Sequence, residues 1–115
     1  MFGYAGGCEI ANLTLKNVTV TGYQAGAFAG SAEGTKIKNC KLSGTVTVNW
    51  KKYGENYANG VGAAVGVIAG DSNIEVDAKD ADIVINDKDI TYANGKSKEA
   101  NNLVGVVYSG TYTLN

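Results

Sequence analysis

Three aromatic residues lie within one short polar stretch, and they are the side chains best suited to contact a ligand. Trp50, Tyr53 and Tyr57 stand among lysine, glutamate and asparagine residues between positions 50 and 57. An aromatic ring with a polar group can stack on a sugar or pack in a protein interface. We therefore treat these three as candidate ligand-binding residues. The alternative, which we favour, is that the rings fold back over the core beneath a long loop.

Acidic residues are frequent between positions 75 and 89, where they raise the question of a calcium site. Calcium takes several oxygen ligands. The spacing here fits neither Asp-x-Asp-x-Asp-Gly nor Gly-Gly-x-Gly-x-Asp, and Lys79 and Lys88 interrupt the run. This pattern is typical of a solvated mixed-charge face, so we predict no metal site. Asp80 and Asp82 come nearest to a carboxylate pair for glycoside hydrolysis, but nothing else in the sequence supports that reaction.

The composition of the 115 residues argues against several functions. All ten basic residues are lysine, there is no histidine, and the net charge is −1. Without histidine there is no standard catalytic triad and no histidine metal ligand. A chain with no basic surplus has no field that attracts nucleic acid, and no apolar run reaches the roughly 20 residues that span a bilayer. We predict no catalysis, no cofactor, no nucleic-acid binding and no membrane insertion.

A short phrase that ends in glycine recurs four times and predicts the architecture. The phrases end at Gly3, Gly30, Gly70 and Gly110, so the spacings are 30 − 3 = 27, 70 − 30 = 40 and 110 − 70 = 40. Repetition at about 20–50 residues is typical of arrays in which each unit buries its apolar face against the next. We expect Gly30 and Gly70 to occupy equivalent positions in successive units.

Segments with alternating apolar and polar residues follow each phrase and align between repeats. Ile10 matches Ile37, Asn12 matches Asn39, Leu15 matches Leu42, Val18–Val20 matches Val46–Val48, and the third repeat continues with Ile74, Val76 and Ile83–Ile85. Period-two alternation indicates strands with one buried face. Three short strands per repeat predict an all-β parallel β-helix, or β-solenoid, of three to four short coils. The matching Asn12 and Asn39 predict a stacked amide ladder at a corner.

The alternative fold is an antiparallel β-sandwich, because Asn59-Gly60 and Asn94-Gly95 are good hairpin turns. A sandwich, however, gives no reason for matching segments at a fixed offset. In the favoured solenoid, the insertions Asn49–Asn59 and Asn86–Asn102 leave from the same corner and should form long loops on one flank. The repeat alignment also places Cys8 opposite Thr35, five residues from Cys40. We therefore predict two free, buried thiols rather than a disulfide.

The residues Phe2-Gly3-Tyr4-Ala5-Gly6-Gly7, the segment 10–22 and the segment 26–44 resemble the GLUG-motif repeats of bacterial cell-surface and secreted proteins. The resemblance covers the first half of the chain most strongly. It implies a stacked β body in a large exported bacterial protein, often an adhesin-like molecule. The GLUG pattern prescribes no catalytic residues, so none are transferred to this chain.

The sequence thus predicts that residues 1–115 form one β-solenoid repeat domain, a fragment of a longer exported protein. The expected function is that of a non-catalytic structural or adhesin-like module of a bacterial surface or secreted protein. The alternatives are a carbohydrate-binding module or a non-catalytic piece of a polysaccharide-degrading β-helix enzyme. Glycans or host surface proteins are the expected partners. Self-association through the terminal coils is also expected, because unpaired strand edges invite pairing.

Overall fold

Strands make up most of the chain, because Val, Ile and Thr alternate with polar residues over long stretches. The structure, a computed structural model, describes residues 2–52, 59–88, 90 and 102–114. Twelve strands occur there: β1 (Phe2–Gly6), β2 (Glu9–Ala11), β3 (Thr14–Lys16), β4 (Thr19–Gly22), β5 (Gln24–Ala25), β6 (Ala29–Glu33), β7 (Lys36–Trp50), β8 (Gly60–Val61), β9 (Val65–Ala69), β10 (Ser72–Asn86), β11 (Val104–Val107) and β12 (Gly110–Leu114). None of these residues is helical, so the described ranges contain no helix that could cross a membrane.

The strands form three sheets. The first has the order β1-β6-β9-β11, the second joins β2, β3 and β4 to β7, then β10 and β12, and the third pairs β5 with β8. Every strand pair in the described ranges is parallel. The protein is therefore all-β with parallel sheets, and the antiparallel sandwich is wrong. Parallel pairing groups the strands into four units: unit 1 (2–22), unit 2 (24–50), unit 3 (60–86) and unit 4 (102–114).

The second sheet confirms the predicted alignment of the alternating segments. Ile10 pairs with Ile37, Ile37 with Ile74, and Ile74 with Tyr112. Leu15 pairs with Leu42. The prediction of three short strands per repeat, namely the glycine phrase and two alternating segments, is wrong in detail. In unit 1 the two alternating segments form three strands, β2, β3 and β4, and in units 2 and 3 they merge into the continuous 15-residue strands β7 and β10.

The first sheet corrects the predicted register of the glycine phrases. Ala29 pairs with Val65 and Ser31 with Val67, so Gly30 lies beside Gly66 rather than Gly70. Gly70 lies beside Gly34, after the strands have ended. The segments that stack are Gly26–Gly30 and Gly62–Gly66, each with two glycines four residues apart. The phrase that ends in Gly70 resembled Phe28-Ala29-Gly30 in composition but is shifted by four residues.

This register places glycines at the points where the backbone of the first sheet packs directly against the backbone of the third sheet. A Cβ atom on Gly66 would lie 2.5 Å from the carbonyl oxygen of Gly60 and 2.7 Å from the amide nitrogen of Ala25, which belong to the third sheet. A Cβ on Gly105 would meet Val61 of the same sheet at 2.6 Å. The third sheet therefore covers the first. Because β9 is buried on both faces, four of its five residues, Val65–Ile68, are buried and do not alternate.

Residues with left-handed backbone turn the second sheet at fixed positions. Asn12 and Asn39 have φ values of 59° and 50°, and the Asn39 Nδ2 donates to the Asn12 Oδ1 at 2.6 Å. This confirms the predicted amide ladder. At the next corner Asn17 has φ 55° and its Oδ1 accepts a hydrogen bond from the backbone N–H of Thr45 at 3.0 Å. Asparagine tolerates this conformation better than most residues.

The core lies between the sheets and contains few polar groups. Phe28, Ile37, Leu42, Ile68 and Ile74 are fully buried. Thr35 and Ser72 are also buried, but both hydroxyls are satisfied: Thr35 Oγ1 donates to the Ala5 carbonyl and Ser72 Oγ to the Ala69 carbonyl, each at 2.8 Å.

Both thiols are free, as predicted, and Cys8 does lie opposite Thr35, with its Sγ 3.8 Å from the Thr35 Oγ1. Cys40 is buried, but Cys8 is exposed. The prediction of burial was therefore wrong for Cys8. It follows the left-handed residue Gly7 at a corner, where the chain lies at the surface.

Gly66→Ala should lower the free energy of unfolding by about 3 kcal/mol or more, because the added methyl group can be accommodated only if the two sheets separate. Gly3→Ala is the matched control. Gly3 lies beside Gly30 in the same row of stacked glycines, and a Cβ on Gly3 meets no atom within 4 Å. Urea denaturation of both variants measures the difference. Equal losses would contradict the close approach.

Asn39→Ala should lower the free energy of unfolding by about 1–2 kcal/mol, because alanine adopts positive φ at a cost and cannot bond to Asn12. Asn39→Gly should cost less, because glycine adopts positive φ freely. The same denaturation measurement ranks the two variants, and a less stable glycine variant would show that the corner does not depend on the backbone angle.

Candidate functional site

The two insertions begin side by side at one edge of the second sheet. Asn49 and Asn86 pair in register at the ends of β7 and β10, and the Asn86 Nδ2 donates to the Asn49 Oδ1 at 2.7 Å. The Asn49 Nδ2 in turn donates to the Thr21 Oγ1 at 3.4 Å. The residues that follow the two insertions also lie side by side, since the Ala63 N–H donates to the Asn102 carbonyl at 2.7 Å. The ends of both insertions therefore lie on one flank, as predicted, although most residues between them lie outside the described part of the chain.

Trp50 is the one candidate aromatic whose position the structure describes, because Tyr53 and Tyr57 lie outside the described residues. Its position two residues after the buried Val48 puts the indole on the inner side of β7, where it packs against the core and is half-buried. The indole Nε1 donates to the Asn59 Oδ1 at 3.2 Å. The ring thus covers the end of the core and also connects the two ends of the insertion.

The contact between Trp50 and Asn59 was not predicted, because Asn59 was considered only as the end of the insertion and, in the alternative antiparallel sandwich, as part of a hairpin turn with Gly60. That interpretation is wrong: Gly60 begins β8, which pairs in parallel with β5. The Gly60 N–H donates to the Tyr23 carbonyl at 2.9 Å. The sequence offers one weak signal for this contact: Trp50 and Asn59, nine residues apart, stand at the two ends of a polar insertion.

Near the flank, the outer face of the second sheet carries hydroxyl and amide groups in rows. Thr19 pairs with Thr47, and Thr47 with Val84. The next row contains the hydrogen-bonded Thr21, Asn49 and Asn86. In the described ranges, Val84 is one of two large apolar side chains that are exposed, at 40%. This end of the face presents neutral polar groups, while the Trp50 indole lies on the inner side of β7.

The acidic stretch does not form a site for chemistry in the described ranges. Asp80 forms an ion pair with Lys41 of the neighbouring unit, with 2.7 Å between Oδ2 and Nζ. The hydrogen bond to Lys41 lowers the pKa of Asp80, and the same bond raises the pKa of Lys41. Both side chains are accessible to water. In residues 2–52, 59–88, 90 and 102–114, no three His, Cys, Asp or Glu side chains lie close enough to hold a metal ion.

A second exposed polar contact lies in the first sheet, away from the flank. The Tyr4 hydroxyl donates to the Glu33 Oε2 at 3.2 Å, and this hydrogen bond raises the pKa of Tyr4. Tyr4 is 61% exposed, so the contact is fully solvated. A raised pKa makes the Tyr4 hydroxyl a weaker acid, so it stays protonated at neutral pH.

Comparison with known proteins identifies one family. Residues 21–47 match the GLUG motif. The chain therefore contains a GLUG motif, and the resemblance noted in the sequence is confirmed for this segment. The match runs from Thr21 at the end of unit 1 to Thr47 near the end of unit 2 and includes the stacked glycines Gly26 and Gly30. No curated protein and no solved structure matched the chain.

Trp50→Ala should lower the free energy of unfolding by about 2–3 kcal/mol, somewhat less than for a fully buried aromatic side chain because the ring is half-buried. Trp50→Phe keeps one aromatic ring but loses the hydrogen bond to Asn59 and part of the packing, so we expect an intermediate loss of about 1–2 kcal/mol. Thermal or urea denaturation separates the two. An unchanged melting temperature for Trp50→Ala would contradict the capping role and would support a ring held for a ligand.

Proposed function

We propose that the chain is a non-catalytic structural module of a secreted or cell-surface bacterial protein, and that its parallel sheets form a β-solenoid. The observation that carries the proposal is the in-register stacking of four units through parallel strands. Each unit covers the apolar face of the next. Further units can therefore lengthen the array without changing the packing between neighbours. The GLUG motif supports the same assignment, because the repeats that it resembles come from exported proteins.

Rigidity follows from this stacking and suits a spacer or adhesin segment. Parallel pairing joins β7 and β10 from Lys36 to Asn49, with two register shifts, and the close backbone packing at Gly30, Gly66 and Gly105 opposes sliding of one sheet over the other. Opposite charges on β7 and β10 also favour the pairing of unit 2 with unit 3. Lys36, Lys38 and Lys41 of unit 2 face a unit 3 strand that carries Glu75, Asp77 and Asp80. The ion pair between Lys41 and Asp80 is one result.

A carbohydrate-binding module is the second candidate, and the exposed row of neutral groups formed by Thr21, Asn49 and Asn86 favours it. Amide and hydroxyl groups in such a row are suited to hydrogen bonds with a sugar. The Trp50 indole follows Asn49 in β7 but lies on the inner side of the strand. The contact of Trp50 with the core argues for a structural role, so the spacer remains the first proposal.

A glycan array followed by an assay for released reducing ends distinguishes these functions. A structural module binds no glycan and releases no sugar. A binding module retains a glycan without consuming it, and Asn49→Ala with Asn86→Ala should then abolish retention while the exposed control Thr111→Ala does not. Release of sugar from a retained glycan would overturn the non-catalytic assignment.

A further inference from the structure

We propose that Asn59 is a conditional deamidation site, closed while β8 is paired with β5 and open when that pairing is lost. The reaction needs no enzyme, only water. It is favoured at Asn-Gly because glycine has no side chain to hinder attack by its backbone nitrogen on the preceding amide. Asn59-Gly60 has this sequence and lies where Trp50 connects the two ends of an insertion.

The reaction requires two groups that the folded structure holds in other contacts. The Gly60 nitrogen must lose its proton and form a bond to the Asn59 Cγ, while the bond from Cγ to Nδ2 breaks and ammonia leaves. Water then opens the resulting succinimide to aspartate or isoaspartate. In the structure the Gly60 N–H donates to the Tyr23 carbonyl at 2.9 Å, and Gly60 is buried. The Asn59 Oδ1 accepts from the Trp50 Nε1 at 3.2 Å.

Local opening is therefore the condition for modification. β8 has only two residues, Gly60–Val61, and one described partner strand, β5, so opening it breaks few strand hydrogen bonds; the burial of Val61 is the main cost of opening. Short elements with few bonds open locally at free energies well below that of global unfolding. Opening at β8 frees the Gly60 nitrogen and the Asn59 amide together.

The isoaspartate product cannot restore the closed state fully. Aspartate at position 59 keeps an oxygen that accepts from the Trp50 Nε1, but isoaspartate adds one carbon to the backbone immediately before β8. That extra carbon shifts Gly60 relative to Tyr23, and Gly66 tolerates little displacement because Gly60 packs directly against it. Isoaspartate formation at Asn59 therefore makes a transient opening of the flank permanent.

Mass spectrometry of the digested protein after incubation at mildly alkaline pH measures the reaction. The synthetic peptide of residues 56–63 supplies the unprotected rate. We expect Asn59 in the folded chain to react at least about tenfold more slowly than in the peptide, which corresponds to an opening free energy of about 1.4 kcal/mol. Amide hydrogen exchange at Gly60 reports the same opening, so its protection factor should match the slowing of deamidation.

Trp50→Phe should accelerate deamidation at Asn59 and hydrogen exchange at Gly60 by the same factor, because it removes the indole donor and keeps an aromatic ring. Leu15→Ala is the control: it weakens unit 1 without a contact to β8 and should leave both rates nearly unchanged under conditions where the protein stays folded. A peptide-like rate at Asn59 in the folded protein would overturn the proposal. So would slow deamidation with no protection of the Gly60 amide.

Discussion

The contact between the first and third sheets at Gly30, Gly66 and Gly105 determines most of the remaining structure. Backbone atoms of one sheet lie where the Cβ atoms of the other would be, so these positions accept no side chain. Glycine usually weakens a strand because it adds no packing surface and loses more entropy on folding. Here that loss is offset by the two-sided burial of neighbours such as Val65 and Ile68, which the close approach makes possible.

The corners of the second sheet depend on side chains rather than on their absence. They are formed by asparagines, which tolerate a positive φ. Asn12, Asn17 and Asn39 turn the chain with positive φ, and their amides bond across to the next unit. The turn and the link between units thus come from the same residues. Unit 3 lacks the equivalent asparagine, because Ile74 and Val76 pair with Ile37 and Cys40 with one residue fewer between them. β7 therefore carries one extra residue at Asn39 and bulges there, where β10 has no counterpart.

The sequence predicted the second sheet well and the first sheet poorly, for a physical reason. Alternation of buried and exposed residues identifies a register, as the pairing of Ile10, Ile37 and Ile74 shows. A strand buried on both faces has no alternation, so the phrases had to be aligned by composition alone, and Gly70 was matched with Gly30. The spacing of four between Gly26 and Gly30, repeated between Gly62 and Gly66, was the informative signal.

The candidate site was only partly predictable. The flank follows from the lengths of the insertions, and Trp50 follows from its type. The bond from Trp50 to Asn59 joins residues whose relation depends on where β8 begins, and no local pattern gives that. Asn59-Gly60 has the composition of a hairpin turn, yet Gly60 begins a parallel strand, because the Tyr23 carbonyl immediately before β5 accepts its N–H.

The register between units 2 and 3 is the central claim, and an NMR measurement of couplings transmitted through backbone hydrogen bonds tests it directly. The carbonyl of Ala69 identifies the register, because it accepts from the Gly34 N–H at 3.2 Å. We predict a coupling between the Gly34 nitrogen and the Ala69 carbonyl carbon. A coupling from the Gly30 nitrogen to that carbonyl would show that the strands are shifted by four residues and would contradict the stacked glycine column.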